Sequence, residues 1–186
     1  MKILYFDTET TGLDENVHDI IQIAGVIEID GEIKEKFNYK IKPFNMSEVS
    51  YEALETNGFT LDAINKFDAP DEVLRKLIVL MGQYVDRFDP ADKFYPAGYN
   101  VQFDLNFLRA FFEKNNDKFF GSWFYWRPID PLPVLYLFET LGKIHLPNYK
   151  LTTVCELLGI EFKAHDAFED IEATMKVIDY VRENIK

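Results

Sequence analysis

Asp30-Gly31 stands between two β-branched runs, Ile20 to Ile29 and Ile33 to Ile41, the second alternating as Ile33, Glu35, Phe37, Tyr39 and Ile41. An Asp-Gly pair so flanked favours the positive φ angles of a tight hairpin turn. Ahead of it, Ile3 to Phe6 is a short apolar run without alternation, the pattern of a central strand buried on both faces. The chain is therefore expected to open as an antiparallel three-strand meander.

The remainder reads as helices with further strands between them. Residues 44–69 carry short helical pieces, with Asn57-Gly58 as a turn. Pro70-Asp71 opens a helix to about Phe88. Phe94 to Tyr99 is a fourth strand, Val101 to about Lys114 a helix, and a short fifth strand is expected near Arg127 to Ile129. Asp130-Pro131 resembles an N-cap followed by proline at the first helical position, for a helix to about Leu141 with Gly142 beyond it. Leu151 to Leu158 is a helix ended by Gly159, and the last helix runs from Ala167 to about Asn184. Strands followed by alternating strands and helices predict an α/β fold, a mixed sheet flanked by helices. At 186 residues the chain is expected to form a single domain over 1–186.

Composition narrows the function classes. One cysteine, Cys155, excludes an intrachain disulfide framework and a multi-cysteine zinc site, and its apolar surroundings predict a buried thiol. A reducing, cytoplasmic setting is consistent with this. No apolar run reaches the roughly 18 residues of a membrane span, so no membrane partner is expected, and Met1 to Asp7 is too short an apolar opening for a signal peptide. The formal net charge is -12, from 32 acidic and 20 basic residues. Such a chain is a poor non-specific binder of long nucleic acid, because phosphate neutralisation needs Lys and Arg.

Four acids break the expectation of a solvated surface residue. Asp7 and Glu9 end the first strand, and side chains two apart on a strand share a face. Like charges so placed repel unless a cation lies between them. On its own the pair also reads as a turn-initiating Asp followed by a surface Glu. Asp104 falls on a helical stripe with Val101, Phe107, Leu108 and Phe111, where a lone carboxylate is costly unless paired or metal-bound. Asp170 shares the stripe of Ala167, Thr174 and Val177, whereas Asp166 and Glu169 have a structural explanation as a capping box. His165 lies five residues before Asp170; His18 and His145 lack such company and read as packing or surface residues. Inward carboxylates with little His or Cys favour two Mg²⁺ or Mn²⁺ ions, which can clamp a phosphodiester. Four acids and two divalent ions sum to zero charge, so the metals could receive the phosphate that the protein otherwise repels.

Three segments carry a resemblance: Asp7-Thr8-Glu9-Thr10-Thr11-Gly12-Leu13, Gly98-Tyr99-Asn100-Val101-Gln102-Phe103-Asp104, and His165-Asp166-Ala167-Phe168-Glu169-Asp170. In this order, across nearly the whole chain, they resemble the exonuclease motifs of the DEDDh family, which includes bacterial replicative proofreading subunits. The resemblance implies a ribonuclease-H-like fold with a five-stranded mixed sheet. It implies that Asp7, Glu9, Asp104 and Asp170 match the metal-binding carboxylates and His165 the general base, with release of nucleoside 5′-monophosphates from a 3′ end, single strands preferred. Thr10, Thr11, Gly12 and Leu13 would hold the terminal nucleotide, and Asn100 and Phe103 match positions beside it. Phe103 reads equally as core packing. Lys143, Lys150 and Lys163 read as ordinary surface lysines. A tail tethering the domain to a polymerase is not expected beyond the last helix, which leaves polymerase contact through the domain surface.

Other readings stay open at this point. An RNA-trimming or oligoribonucleotide exonuclease on the same fold would carry the same acids. A haloacid-dehalogenase-like phosphatase would use Asp7 as nucleophile, but would expect Asp at position 9 and leave Asp104 and His165 unexplained. A partner-dependent nucleic-acid-binding module would keep the fold without turnover.

Overall fold

The computed structural model describes residues 1–161 and 167–185. Strand β1 (Lys2–Thr10) lies between β2 (Ile20–Ile29), antiparallel to it, and the short β4 (Tyr95–Ala97), parallel to it; β3 (Glu32–Lys40) pairs antiparallel with β2, giving the order β3-β2-β1-β4. The expected hairpin is present. Asp30 and Gly31 have φ of 52° and 86°, and Ile29 pairs with Glu32 across them. Both turn positions are left-handed, which only small or turn-forming residues accept cheaply.

The sheet carries different partners on its two faces. Leu4 and Phe6 of β1, with Ile23 and Ile27 of β2, pack against α3 (Pro70–Met81) and α4 (Gln102–Lys114) through Val73, Leu77, Phe107 and Leu108. Ile3 and Tyr5, with Ala24 and Val26, pack on the other side against Ala167, Ile171 and Ile178 of α8 (Ala167–Asn184). The period of two in β1 thus divides its residues between two cores. A third cluster joins α6 (Leu132–Thr140), α7 (Leu151–Leu158) and α8, and includes the fully buried Cys155, whose thiol burial pushes up to about 11. Two short helices, α1 (Tyr51–Asn57) and α2 (Leu61–Ile64), cover Ile21 near the start of β2. A further short helix, α5 (Phe120–Trp123), precedes the return of the chain to β4.

Several boundaries differ from expectation. Among the described residues the sheet has four strands, not five. Ile129 meets Ala97 in a single parallel bridge, its N–H donating to the Pro96 carbonyl at 2.8 Å and its carbonyl accepting from Gly98 at 3.2 Å. The rung before it would need an N–H from Pro96 and the rung after it an N–H from Pro131, and proline has none. The ladder therefore stops after one bridge. Helix α3 ends at Met81 rather than Phe88, with Gly82 as its C-cap; glycine adds no side-chain packing to continue a helix there. Strand β4 is confined to Tyr95–Ala97 within the expected Phe94 to Tyr99. Pro131, not Asp130, is the N-cap of α6, although an Asp130 oxygen still accepts the Leu132 N–H at 3.0 Å. The proposed cap at Asp166 lies outside the described residues.

Candidate active site

The candidate site lies where β1 outruns its parallel neighbour. The last β1–β4 pair is Tyr5 with Ala97, while β1 continues to Thr10. A crevice beyond the carboxyl ends of parallel strands is where open α/β sheets expose functional groups. Asp7 and Glu9 project there, half-buried, on the α8 face of β1, and the buried Thr8 projects to the α4 face.

Asp104 enters from α4. It is 5% exposed, as expected from its apolar stripe, and one of its oxygens accepts both the Thr8 N–H at 2.9 Å and the Thr8 hydroxyl at 2.6 Å. These two hydrogen bonds to β1 fix the carboxylate beside Asp7 and Glu9. Asp170 enters from α8, half-buried, in the turn that seats Ala167, Ile171 and Thr174 against the sheet. Three elements thus supply four acids to one end of β1. His165 and Lys163 lie outside the described residues.

Electrostatics ties the four together. Burial, then Asp104, Glu9 and Asp170, hold the Asp7 carboxyl well above the ordinary carboxylate range. Glu9 is pushed up to about 7, chiefly by burial and then by Asp170. Burial likewise raises Asp104 to about 7, with Glu9 adding to the rise and the Thr8 hydrogen bonds opposing it. Like charges in a poorly solvated crevice produce this pattern. Among the described residues no three His, Cys, Asp or Glu side chains are already drawn together as a metal cage. The donor set is nonetheless all carboxylate oxygen, the chemistry that suits Mg²⁺ or Mn²⁺, and a cation removes the repulsion that raises these groups.

The loop after β1 builds an adjoining cavity of about 390 Å³, lined by Gly12, Leu13, His18, Ser50, Glu52 and Thr56. Leu13 is 84% exposed and offers an apolar face. Gly12 leaves room for His18: a Cβ there would lie 2.2 Å from the imidazole ring, which would have to move. The imidazole Nδ1 in turn sits 3.1 Å from both the N–H and the carbonyl of Asp14. Thr10 and Thr11, expected beside the substrate, are buried, and their hydroxyls brace the loop. The Thr10 hydroxyl donates to the Gly12 carbonyl at 2.7 Å, and the Thr11 hydroxyl accepts the Asp19 N–H at 2.9 Å. Asn57 adds a side-chain hydrogen bond to the Thr10 carbonyl at 2.9 Å.

Asn100 precedes α4, exposed, with a left-handed φ of 55°. Asp130 holds it so, accepting the Asn100 and Val101 N–H groups at 3.3 Å and 3.1 Å. Phe103 is half-buried and lies 4.8 Å from the Phe107 ring, packed against the core. His18 and Asp130 were not legible as site residues. His18 acts through a loop contact, and Asp130 through a carboxylate that spans about 30 residues of sequence.

The acid-lined crevice and the cavity beside it, on a mixed sheet, define a nuclease-type α/β domain. The chain belongs to the RNase_T exonuclease family, whose model matches residues 4–178, and within it to the DEDDh group of 3′-to-5′ exonucleases. Its curated relatives include the PolC-type DNA polymerase III of Thermotoga petrophila, 30% identical over 172 residues, and that of Bacillus subtilis, 30% identical over 175 residues. These alignments cover 92% and 91% of this chain but only 11% and 10% of the polymerases. The chain thus spans about a tenth of the length of these relatives. Its fold matches E. coli exonuclease I in complex with a dT13 oligonucleotide, with a TM-score of 0.81, 22% identity, and coverage of 97% of this chain and 41% of that one. Exonuclease I from Methylocaldum szegediense matches equally, with a TM-score of 0.81, 23% identity, and coverage of 98% and 40%.

Proposed function

We propose that this domain, acting as one unit over residues 1–186, removes nucleoside 5′-monophosphates from the 3′ end of single-stranded DNA. The observation that carries the reading is the convergence of Asp7, Glu9, Asp104 and Asp170 from β1, α4 and α8, with each of the first three raised by burial and neighbouring acids. These four residues would hold two Mg²⁺ or Mn²⁺ ions. When bound, such ions lower the pKa of water and stabilise the leaving oxygen of a phosphodiester. Thr8 orients Asp104 through its two hydrogen bonds. His165, from the sequence motif, would accept the proton of the attacking water, a task suited to an imidazole near neutrality. Gly12 and Leu13 would receive the terminal nucleotide in the cavity they line, with Thr10 and Thr11 bracing the loop and Asn100 and Phe103 beside it.

The choice of single-stranded DNA is supported by the fold shared with an exonuclease crystallised with dT13, and by relatives that are DNA polymerases. The same relatives support contact with a polymerase through the domain surface. The test uses matched 5′-labelled DNA and RNA oligomers with Mg²⁺ or Mn²⁺, beside EDTA controls and the Asp7→Ala protein. A descending DNA ladder that disappears with EDTA and in the variant is expected. A faster RNA ladder would move the assignment to RNA trimming. Turnover that survives EDTA or Asp7→Ala would reject the carboxylate assignment, and no ladder from folded, metal-supplied protein would favour a binding module.

A further inference from the structure

Helix α4 has a second working face. Asp104 points inward to β1, while Gln102, Asn106 and Arg109, at spacings of four and three, lie on the opposite side of the helix. That side forms one wall of a groove of about 250 Å³, whose other wall includes Lys93, Phe120, Tyr125 and Trp126. The groove has three properties that a buried core or an ordinary surface lacks.

Its charge opposes that of the protein. The chain carries a net charge of -12, yet no Asp or Glu is among the described residues lining the groove. Lys2, Lys34, Lys36, Lys66, Lys76 and Lys114 each hold an acid elsewhere. Among the described residues, by contrast, Lys93 donates to the Gly121 carbonyl, and Arg109 and Arg127 lie over aromatic rings, without an acid partner. Its aromatic surface is open. Trp126 is 81% exposed, with the Arg127 guanidinium 4.4 Å from its ring centre. The Arg109 guanidinium stacks 4.4 Å from the Phe120 ring. Its polar groups are amides: Gln102 donates to Asn106 at 2.8 Å, which leaves further donors and acceptors facing outward. Cations set beside one exposed ring, Trp126, form a surface that can grip a single strand without reading its sequence, phosphates on the cations and a base on the ring.

We propose that this groove is a second binding site for the substrate strand, taking the nucleotides upstream of the 3′ end. The inference rests on the reading of the carboxylate crevice as a 3′-end nuclease site. Both sites are carried by α4, on opposite faces of its first turns. A strand with its 3′ end at the carboxylates must cross the helix to reach the groove. A helix with its side chains is about 10–12 Å across, which corresponds to about three nucleotides when the strand keeps the stacked rise of roughly 3.4 Å each. The groove therefore engages nucleotides from about the fourth onward. A dinucleotide does not reach it, and an oligomer of ten or more does. The occupant is a polyanion rather than a protein segment because the lining pairs the cations Lys93 and Arg109 with no Asp or Glu on an otherwise acidic molecule.

The experiment separates binding from chemistry. The probes are dT12 and the small ester thymidine 5′-(p-nitrophenyl phosphate), used on wild type, Trp126→Ala, Trp126→Phe and the double variant Lys93→Gln/Arg109→Gln. In EDTA, where turnover stops, dT12 should quench tryptophan fluorescence in wild type and lose that quench in Trp126→Ala. With Mg²⁺, Trp126→Ala should raise KM for dT12 about ten-fold or more, the usual worth of one base stack, while Trp126→Phe retains most of the affinity. Hydrolysis of the ester should be unchanged in all variants. The double variant should flatten the fall of log affinity with log salt by about 1.4, at roughly 0.7 per lost phosphate contact on a single strand. Unchanged KM and salt dependence for dT12 with intact ester hydrolysis would overturn the groove and leave the nuclease reading standing. A groove that ignores dT12 but loses a protein partner in the same variants would also overturn it. Absence of all hydrolysis would remove the nuclease reading, and the EDTA titration would still decide whether the groove binds a strand.

Discussion

Replacing Glu9 by Gln should stabilise the metal-free protein while destroying its proposed activity. Burial and Asp170 raise the Glu9 carboxyl from 4.5 to about 7 in the fold. A group whose folded pKa is raised holds its proton more tightly when folded, so the charged form opposes folding. Below about 4.5 both states are protonated and the cost is absent; across 4.5 to 7 it develops; above 7 it is complete. At about 1.4 kcal/mol per tenfold change in proton affinity, the cost is roughly 3 kcal/mol at pH 8 and under about 1 kcal/mol at pH 5. Glutamine keeps the shape and removes the charge. In EDTA, urea unfolding of Glu9→Gln should therefore show a gain approaching about 3 kcal/mol at pH 8, roughly 6–12 °C in Tm for a chain of this size, and little gain at pH 5. Mg²⁺ should stabilise the wild type at pH 8 and the variant much less, because only the wild type regains a neutralised carboxylate. A variant that is neutral or less stable at pH 8, or equally stabilised at both pH values, would refute the claim that the crevice stores like-charge repulsion.

Three further substitutions probe the parts separately. Thr8→Val removes the 2.6 Å hydroxyl bond to Asp104 and leaves the 2.9 Å backbone bond; a bond to a charged group is worth about 1.5–3 kcal/mol, so the Mg²⁺ concentration for half-maximal activity should rise roughly ten-fold or more, and an unchanged value would deny Thr8 an orienting role. Gly12→Ala places a Cβ 2.2 Å from the His18 ring and should raise KM; the added His18→Ala should restore it in part, and a double variant no better than the single would place the fault elsewhere. His165→Ala should lower kcat by roughly 10²–10⁴, the usual worth of a general base, with Mg²⁺ binding by calorimetry retained; a small effect would move the proton acceptor to another group.

Much of the fold was legible because local patterns agreed with tertiary need. The Asp30-Gly31 hairpin follows from turn stereochemistry alone. Asp104 was recognisable because its helical neighbours, now seen to be 0–3% exposed at Val101, Phe107, Leu108 and Phe111, could not face water. Asp170 followed from the same argument on α8. What escaped is tertiary. The fifth strand fails because Pro96 on its partner and Pro131 just beyond it lack the N–H groups that the rungs on either side of Ile129 would need. Thr10 and Thr11 are polar residues whose hydroxyls folding turns inward to hold the loop that carries Gly12 and the exposed Leu13. His18 and Asp130 acquire their places from loops that meet only in the folded chain.

The acidic composition, at first an argument against nucleic acid, becomes intelligible once charge is resolved by position. Surface acids are matched locally where lysines reach them, as in the Lys76 bridges to Asp68 and Glu72. Asp7, Glu9 and Asp104 are instead raised by burial and neighbouring like charge, a repulsion that divalent cations would relieve in the proposed reading. The groove on the outer face of α4 reverses the sign again with Lys93 and Arg109, and Arg127 lies against its Trp126. A duplex presents phosphates over a broad surface and meets mostly negative charge on such a molecule. In the proposed reading, a single strand would thread past the groove at one face of α4 to the carboxylate crevice at the other. Selectivity for free single-stranded ends would then need no sequence-reading contact: it would follow from confining positive charge to a path one strand wide.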